Sequence, residues 1–202
     1  MTKVKICGLR TVEDVWKVNP YRPEYVGFVF APGSKRRVSW ELAKEMKGAL
    51  APGILAVGVF VNQDIRTIAE LVRAGNIDLV QLHGDEGRGD IIELKRLVDC
   101  PVIKAVPVGH APPKGLPQGA DYVLFDTDAK ERGGTGRTFD WSLLGEVTAP
   151  LFLAGGIHEG NVLEAIAKTR PYAIDVSSGV ETNGVKDEDQ IHRLIRRVRT
   201  EG

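Results

Sequence analysis

The sequence predicts a (β/α)8 barrel built as a single domain that spans residues 1–202. Strand-like runs alternate with helix-like runs eight times, and strict alternation of this kind is typical of a parallel sheet with covering helices. The strand-like runs are short and mostly apolar, as expected for parallel strands that are buried on both faces. No change in composition divides the chain into two parts. The alternative fold with the same alternation is an open doubly wound sheet.

Each predicted strand is four to seven residues long, which is typical of a strand. The predicted strands are Val4–Cys7, Tyr25–Phe30, Ile54–Phe60, Leu79–Leu82, Val102–Val106, Tyr122–Phe125, Leu151–Ala154 and Ala173–Val176.

Apolar residues at helical spacing follow most of these strands. The first helix begins near Thr11 and is expected to bury Val15 and Trp16. Residues of the type that cap helices precede four later helical segments, and these are Ser39, Asp64, Asn161 and Asp187. The segment Pro107–Gln118 is rich in proline and glycine, so we expect the fifth helix to be short or missing. A short helix is also expected after Asp140.

Composition and charge exclude several classes of protein. Hydrophobic residues make up 43% of the chain, which is enough to bury a full core. Basic and acidic residues each number 27, and a net charge of zero argues against nucleic acid or a membrane as the main partner. The chain has no apolar run long enough to span a bilayer and no basic-then-apolar leader at its N-terminus, so we expect it in the cytoplasm.

The cysteines and histidines give no sign of a disulfide framework or a metal site. Cys7 and Cys100 are too few for such a framework and suit a reducing compartment. Cys100 precedes Pro101 at the start of a strand, away from the expected working face, and is assigned to structure. The four histidines have no spacing that suggests a metal.

In barrels of this type the working face lies at the carboxyl ends of the strands. The side chains that the sequence places there are Lys5, Cys7, Arg36, Gln81, His83 and Asp126. The loops after the seventh and eighth strands add Gly155, Gly156, Ser177, Ser178 and Gly179. Because glycine N–H groups approach an anion closely and these two loops form the usual phosphate site of such barrels, we predict phosphate binding there. A further glycine loop, Gly133–Gly136 with Gly134 inside it, either adds to this site or closes over it.

Cys7 has two interpretations. An isolated cysteine is most often a small buried hydrophobic residue. Lys5 lies two residues away and faces the same side of the strand, and a nearby ammonium would lower the thiol pKa from its free value of about 8.5. A thiolate at the mouth of a barrel would serve as a base or a nucleophile.

Two aspartates are candidates for chemistry at the same mouth. Asp126 ends an apolar strand and is either a solvated strand end or an acid–base group that faces Cys7 across the barrel. Asp175 lies within the eighth strand, where a carboxylate needs a partner. We expect Asp175 to point into the mouth, toward a hydroxyl or a lysine.

Arg36 and His83 also have open interpretations. Arg36 belongs to a run of three basic residues that is either a solvated loop or the carrier of one guanidinium that binds a substrate carboxylate in a fork. His83 is either a substrate contact or a residue that packs behind the contacts.

The motifs along the chain resemble those of the phosphoribosylanthranilate isomerases of tryptophan biosynthesis. The stretches that carry the resemblance are Lys5-Ile6-Cys7-Gly8, Gly27-Phe28-Val29-Phe30, Ser34-Lys35-Arg36, Gly58-Val59-Phe60, Gln81-Leu82-His83-Gly84, Gly133-Gly134-Thr135-Gly136, Phe139-Asp140-Trp141, Gly155-Gly156 and Asp175-Val176-Ser177-Ser178-Gly179-Val180-Glu181. Together they cover nearly the whole chain in the order of the family and are specific. Lys35 departs from the proline that many members carry before the arginine, which bears on loop stiffness more than on chemistry.

The resemblance implies a cofactor-free Amadori rearrangement of a small phosphosugar, N-(5-phosphoribosyl)anthranilate, to 1-(2-carboxyphenylamino)-1-deoxyribulose 5-phosphate. In the family's mechanism, the aspartate matching Asp126 is the general acid that opens the furanose ring. The cysteine matching Cys7 then removes the C2′ proton, and the arginine matching Arg36 binds the anthranilate carboxylate. The loops after the seventh and eighth strands hold the phosphate. Since some barrels of this family dimerise, we expect a monomer or a homodimer.

Two rival functions share much of this pattern. The first is the related phosphosugar isomerase of histidine biosynthesis, a family that uses two aspartates and shows half-barrel duplication. This sequence has Cys7 at the first catalytic position and no evident duplication. The second is a phosphate-binding barrel without catalysis, in which Cys7 belongs to the core.

Overall fold

The structure is a computed structural model that describes residues 1–112, 115, 117–127, 138–145, 147 and 149–202. Eight parallel strands close into a barrel in chain order, and the eighth pairs with the first. The strands are β1 (Lys3–Cys7), β2 (Tyr25–Val29), β3 (Leu55–Phe60), β4 (Leu79–Leu82), β5 (Val102–Val108), β6 (Tyr122–Thr127), β7 (Leu151–Leu153) and β8 (Ala173–Val176). The predicted barrel is therefore confirmed, and the open-sheet alternative is wrong.

The α-helices of the described residues are α1 (Val12–Val18), α2 (Trp40–Ala49), α3 (Ile65–Arg73), α4 (Arg88–Leu97), α5 (Val162–Thr169) and α6 (Glu188–Glu201). The predicted caps Ser39, Asp64 and Asp187 each accept a hydrogen bond from a backbone N–H in the first turn of the helix that follows. The described residues between β5 and β6 form no helix, and only a short 3-10 helix, Trp141–Leu144, follows Asp140. Across the described ranges, no helix combines the length and the apolar character needed to cross a membrane.

The first helix turns a different face inward from the one predicted. Trp16 is 60% exposed, whereas Val15 and Val18 are fully buried. Asp14 takes the remaining inward position on α1, because its carboxylate accepts a hydrogen bond of 2.9 Å from the backbone N–H of Arg10. The prediction that Trp16 is buried is wrong.

Two strands at the mouth extend further than predicted. β5 continues through Pro107 to Val108, and β6 continues through Asp126 to Thr127. These added residues pair with each other, with Pro107 opposite Asp126 and Val108 opposite Thr127. Asp126 is therefore held inside a paired strand, which restricts its backbone more than a loop would.

The barrel interior is layered. The layer further from the carboxyl ends of the strands is an apolar cluster, which consists of Tyr25, Val57, Leu79, Ile103, Ala105, Leu124, Phe152, Ala154 and Ala173. Because side chains alternate along a strand, the positions two residues further along β4, β6 and β8 also face the interior, and these are Gln81, Asp126 and Asp175. The interior therefore changes from apolar to polar toward the carboxyl ends of the strands.

A small hairpin that the sequence analysis did not predict follows β8. Its strands are β9 (Glu181–Thr182) and β10 (Val185–Lys186), which pair antiparallel. Asn183 and Gly184 form the turn, with φ values of 53° and 75°. Two positive φ values are typical of the tight turn that Asn-Gly favours, so a sequence signal for the hairpin exists.

Candidate active site

Lys5 is a fully buried cation at the centre of the polar layer. Its ammonium donates to Asp175 Oδ2 at 2.8 Å and to Gln81 Oε1 at 2.9 Å. Burial opposes the charged form of this lysine, but Asp175 and Cys7 more than offset it, so the pKa of Lys5 lies above its ordinary value. The prediction that Asp175 points into the mouth toward a lysine is confirmed. Asp175 Oδ1 is buried and has no hydrogen-bond partner among the described residues.

Cys7 ends β1 at the mouth and is partly exposed. Burial raises the pKa of its thiol above the ordinary value, and the lowering effect of Lys5 offsets only part of this rise. The expectation that Lys5 brings the thiol pKa below its free value is therefore wrong. Gly27 pairs with Cys7 on β2 and leaves the space that the sulfur fills, since a Cβ at that position would lie 2.5 Å from Cys7 Sγ.

A line of polar contacts runs from Lys5 to Asp126. Gln81 accepts from Lys5 through Oε1, and its Nε2 lies 2.8 Å from Nδ1 of His83. The other ring nitrogen of His83, Nε2, lies 3.4 Å from Asp126 Oδ2. Asp126 Oδ1 accepts a 2.8 Å hydrogen bond from the backbone N–H of Thr127. His83 thus lies at the mouth, between the polar layer and Asp126.

Lys104 on β5 fixes the backbone around His83. Its buried ammonium donates to the carbonyl oxygens of Leu82 and Gly84, the residues on either side of His83, at 3.2 and 2.7 Å. It also pairs with Glu86 at 3.2 Å, and the Glu86 carboxylate accepts the backbone N–H of Gly84. Because these groups are buried, the ion pair holds the loop after β4 in one position.

Arg36, Glu181 and Lys186 form a second charged cluster. Arg36 donates to Glu181 through Nε at 2.9 Å and through Nη2 at 2.7 Å, and Lys186 donates to Glu181 at 2.7 Å. Burial disfavours the Glu181 carboxylate, yet the two cations hold its pKa at about 2. Burial lowers the pKa of Lys186, and Glu181 offsets only part of that effect. Both cations lie near Cys7 and interact with it electrostatically.

The loops after β7 and β8 lie against each other. A Cβ on Gly179 would lie 2.0 Å from the carbonyl oxygen of Ile157, so only glycine permits this approach. Gly155 and Gly156 have φ values of 86° and 66°, which glycine adopts without strain. The Oγ atom of Ser177 is buried in this region and has no hydrogen-bond partner among the described residues. The two loops thus bring a buried hydroxyl and two glycines with positive φ to the mouth of the barrel.

Most of the predicted site residues lie together at the mouth of the barrel. Ser178 begins a 3-10 helix, Ser178–Val180, beside the two glycine loops. Gly134 lies outside the described residues. Cys100 is buried at the opposite end of the barrel, just before β5. In the described ranges, no group of three or more histidine, cysteine, aspartate or glutamate side chains is placed to hold a metal ion.

The partners that hold the site residues are not predicted from the strand pattern. Glu181 is visible in the sequence only as part of a family motif, and nothing in the pattern of strands and helices marks Lys186. The Asn-Gly turn is the one signal that points to the hairpin carrying Glu181 and Lys186. Lys104 is a cation inside an otherwise apolar strand, which is a recognisable sign of a buried ion pair.

A cavity of about 410 Å³ lies away from this site. It is lined by Trp141, by Leu151 at the start of β7 and by Tyr172 just before β8. These positions are at the amino ends of the strands, whereas the chemistry described above is at their carboxyl ends. Active sites of such barrels lie at the carboxyl ends of the strands, so the cavity is not part of the candidate active site.

Relatives of the whole chain are known. The family model N-(5'phosphoribosyl)anthranilate (PRA) isomerase matches residues 4–197. An N-(5'-phosphoribosyl)anthranilate isomerase of Endomicrobium trichonymphae is 47% identical over 201 residues, covering 99% of this chain and 100% of that protein. The crystal structure of phosphoribosyl anthranilate isomerase from Thermus thermophilus has a TM-score of 0.87 at 35% identity and covers 98% of this chain and 99% of its own. A phosphoribosyl anthranilate isomerase in complex with reduced 1-(o-carboxyphenylamino)-1-deoxyribulose 5-phosphate has a TM-score of 0.79 at 32% identity, with coverage of 98% and 99%.

Proposed function

The chain belongs to the N-(5'-phosphoribosyl)anthranilate isomerase family, and from this premise we propose how its own residues catalyse the rearrangement. It is an isomerase of tryptophan biosynthesis. The proposed reaction is the Amadori rearrangement of N-(5'-phosphoribosyl)anthranilate to the corresponding 1-deoxyribulose 5-phosphate. One observation carries the proposal: Cys7 and Asp126 share one barrel mouth and are linked through Lys5, Gln81 and His83.

Asp126 is the proposed general acid. It delivers a proton to the furanose ring oxygen while the bond between that oxygen and C1′ breaks, and the anthranilate nitrogen forms a double bond to C1′. The paired strand and the N–H of Thr127 hold the carboxyl group in place, and each carboxyl oxygen keeps a second lone-pair site for the transferred proton. Positioned proton transfer of this kind is worth roughly 10²- to 10⁴-fold in rate.

Cys7 is the proposed general base. As a thiolate it removes the C2′ proton, and the electrons of that bond form a C1′–C2′ double bond and neutralise the Schiff base. The enolamine then tautomerises to the ketone without net gain or loss of protons. A raised thiol pKa means that less thiolate is present at neutral pH, but the thiolate that forms is a stronger base.

Arg36 is the proposed partner of the anthranilate carboxylate. Glu181 occupies the edge of the guanidinium that carries Nε, which holds the plane of the group and leaves the Nη1 side to the substrate. Lysine in place of Arg36 would keep the charge but lose the planar geometry. The variant Arg36→Lys should therefore raise KM more than it lowers kcat.

The loops after β7 and β8 are the proposed phosphate site. The support comes from the positive φ values of Gly155 and Gly156 and from the close approach that Gly179 permits. Ser177 supplies a buried hydroxyl that lacks a partner among the described residues, and Ser178 adds a backbone N–H at the start of a helical turn. Asp175 Oδ1, equally unpartnered, is suited to accept a hydroxyl of the sugar.

Two substitutions test the acid–base assignment. Cys7→Ser and Asp126→Asn should each reduce turnover of N-(5'-phosphoribosyl)anthranilate by roughly 10²-fold or more, because each removes one proton-transfer group. Cys100→Ser is the matched control, since that thiol lies away from the mouth and its loss should leave turnover nearly unchanged. Full activity of Cys7→Ser would show that the thiol is not the base, and full activity of Asp126→Asn would show the same for the acid. The aminoaldose substrate of the histidine-pathway isomerase, assayed in parallel, tests for a second activity.

A further inference from the structure

We propose that Gln81 is a positioning residue that fixes the tautomer of His83, so that the Nε2–H of His83 donates to Asp126. The part of this inference that concerns catalysis rests on the proposed role of Asp126 as the acid. The part that concerns the tautomer rests on the hydrogen-bond geometry alone.

The first step is the orientation of the Gln81 amide. The ammonium of Lys5 has three donors and no acceptor, and it lies 2.9 Å from the Gln81 side chain. The amide oxygen must therefore face Lys5, since an NH2 group there would place two donors against each other. Lys5 is itself held by Asp175 at 2.8 Å, and Gln81 is 1% exposed, so neither group is free to turn toward water.

The second step is the proton on His83. With its oxygen turned to Lys5, Gln81 presents its NH2 group to Nδ1 of His83 at 2.8 Å. Nδ1 must accept this hydrogen bond, so the single proton of the neutral ring lies on Nε2. Nε2 is the nitrogen that faces Asp126 Oδ2, at 3.4 Å. The charge on Lys5 thus sets the direction of the hydrogen bonds from Asp175 through Gln81 to His83, and it leaves the Nε2–H of His83 facing Asp126.

The main chain around His83 is held by contacts that do not involve Gln81. The N–H of His83 donates to the carbonyl oxygen of Phe60 at 2.8 Å. Lys104 holds the carbonyl oxygens of the residues on both sides. The main chain of His83 is therefore held independently of Gln81, and Gln81 acts on the ring itself through Nδ1.

That choice matters for an acid. With the proton on Nε2, His83 is a donor to the Asp126 carboxylate that remains after proton transfer. With the proton on Nδ1, the Nε2 lone pair would face Oδ2 and would compete with the substrate for the acidic proton of Asp126. Losing a hydrogen bond to a charged group at this point corresponds to a fall in kcat of roughly 10- to 100-fold.

Two variants, Gln81→Glu and Gln81→Met, distinguish an effect of the His83 tautomer on catalysis from an effect of side-chain packing. The glutamate variant keeps the side-chain length and still accepts from Lys5, but its carboxylate can only accept from His83. Nδ1 must then carry a proton, and in the neutral ring Nε2 no longer does. The methionine variant keeps the volume and removes both hydrogen bonds. Gln118→Glu, at an exposed position before β6, is the control for an added carboxylate.

The readout is the two-bond ¹H–¹⁵N correlation spectrum of the histidine rings in the full-length ¹⁵N-labelled protein, with His83→Asn used to assign the signals. We expect the Nε2–H form in the wild type and in Gln118→Glu, and the Nδ1–H form in Gln81→Glu. With N-(5'-phosphoribosyl)anthranilate, kcat of Gln81→Glu should fall roughly 10- to 100-fold with KM within about twofold of the wild type, since the ground-state contacts remain. Gln81→Met should be less impaired than Gln81→Glu.

Three results would overturn the inference. The first is a wild-type spectrum with the His83 proton on Nδ1, which needs no variant to fold. The second is a Gln81→Glu enzyme that changes tautomer without loss of kcat. The third is a Gln81→Met enzyme that is more impaired than Gln81→Glu, which would mean that Gln81 acts by holding Lys5 and not through the tautomer of His83. Full activity of Asp126→Asn would instead contradict the proposed function, while the tautomer would still be decided by the spectra.

Discussion

Replacing Glu181 with glutamine removes the anion that Arg36 and Lys186 share. The pKa of Glu181 is about 2 in the folded protein, against an ordinary value of 4.5. A difference of about 2.5 units at 1.36 kcal/mol per unit corresponds to about 3 kcal/mol of stability at neutral pH. The side chain is only 6% exposed, so screening by water reduces this figure little.

The sign of the pH dependence follows from the lowered pKa. Because the folded protein holds the Glu181 proton less tightly than the unfolded chain, the stabilisation is complete above about pH 4.5 and is lost as the pH falls toward 2. About 2 kcal/mol of it should be gone by pH 3. Glu181→Gln cannot lose this contribution, so the free-energy difference between wild type and variant should shrink over the same range.

Urea unfolding at a series of pH values between 7 and 3 measures this difference. Glu93→Gln, which removes an exposed carboxylate on α4, is the control and should stay within about 0.5 kcal/mol of the wild type throughout. Unfolding free energies of wild type and Glu181→Gln that run parallel from pH 7 to pH 3 would refute the reasoning. They would mean that Arg36 and Lys186 do not lower the pKa of Glu181 in the folded protein.

Three further outcomes are expected. Gly27→Ala should lower kcat by roughly 10²-fold because its Cβ would displace the Cys7 sulfur, whereas Gly48→Ala, with nothing within 4 Å, should leave activity unchanged; equal kinetics for the two variants would contradict this. Lys104→Met leaves a buried carboxylate without its cation and should cost about 3–5 kcal/mol in urea unfolding, and a loss within error of zero would show that the pair does not hold the loop. In a Cys100→Ser background, alkylation of Cys7 by iodoacetamide should keep accelerating above pH 9, and a plateau below pH 8 would contradict the raised pKa of the thiol.

The sequence predicts where candidate site residues lie when the strand pattern alone decides their position. Lys5, His83, Asp126 and Asp175 follow from counting to the ends of apolar runs, because alternation and the parallel arrangement bring those ends together. The Lys5–Asp175 pair is a direct case, since a lysine and an aspartate that face one interior must find partners.

The remaining features depend on three-dimensional surroundings that no local pattern records. Lys5 is visible as a neighbour of Cys7, but the burial that outweighs it is not, so the predicted direction of the thiol pKa was wrong. Arg36 and Glu181 are 145 residues apart, and only the folded barrel shows that the predicted substrate clamp already holds a carboxylate on one edge. Trp16 faces water because Asp14 has a backbone partner that helical spacing does not reveal.

The pairing of Lys5 with Asp175 also limits how early this part of the barrel can form during translation. The two residues are 170 positions apart, so a ribosome that adds 5–20 residues per second makes Asp175 roughly 9 to 34 s after Lys5. Throughout that interval the nascent chain carries a lysine whose native position is fully enclosed, and β1 has no eighth strand to pair with. The pairing of β1 with β8 can form only after the eighth strand has been made, so Cys7 acquires its folded surroundings late relative to its own synthesis.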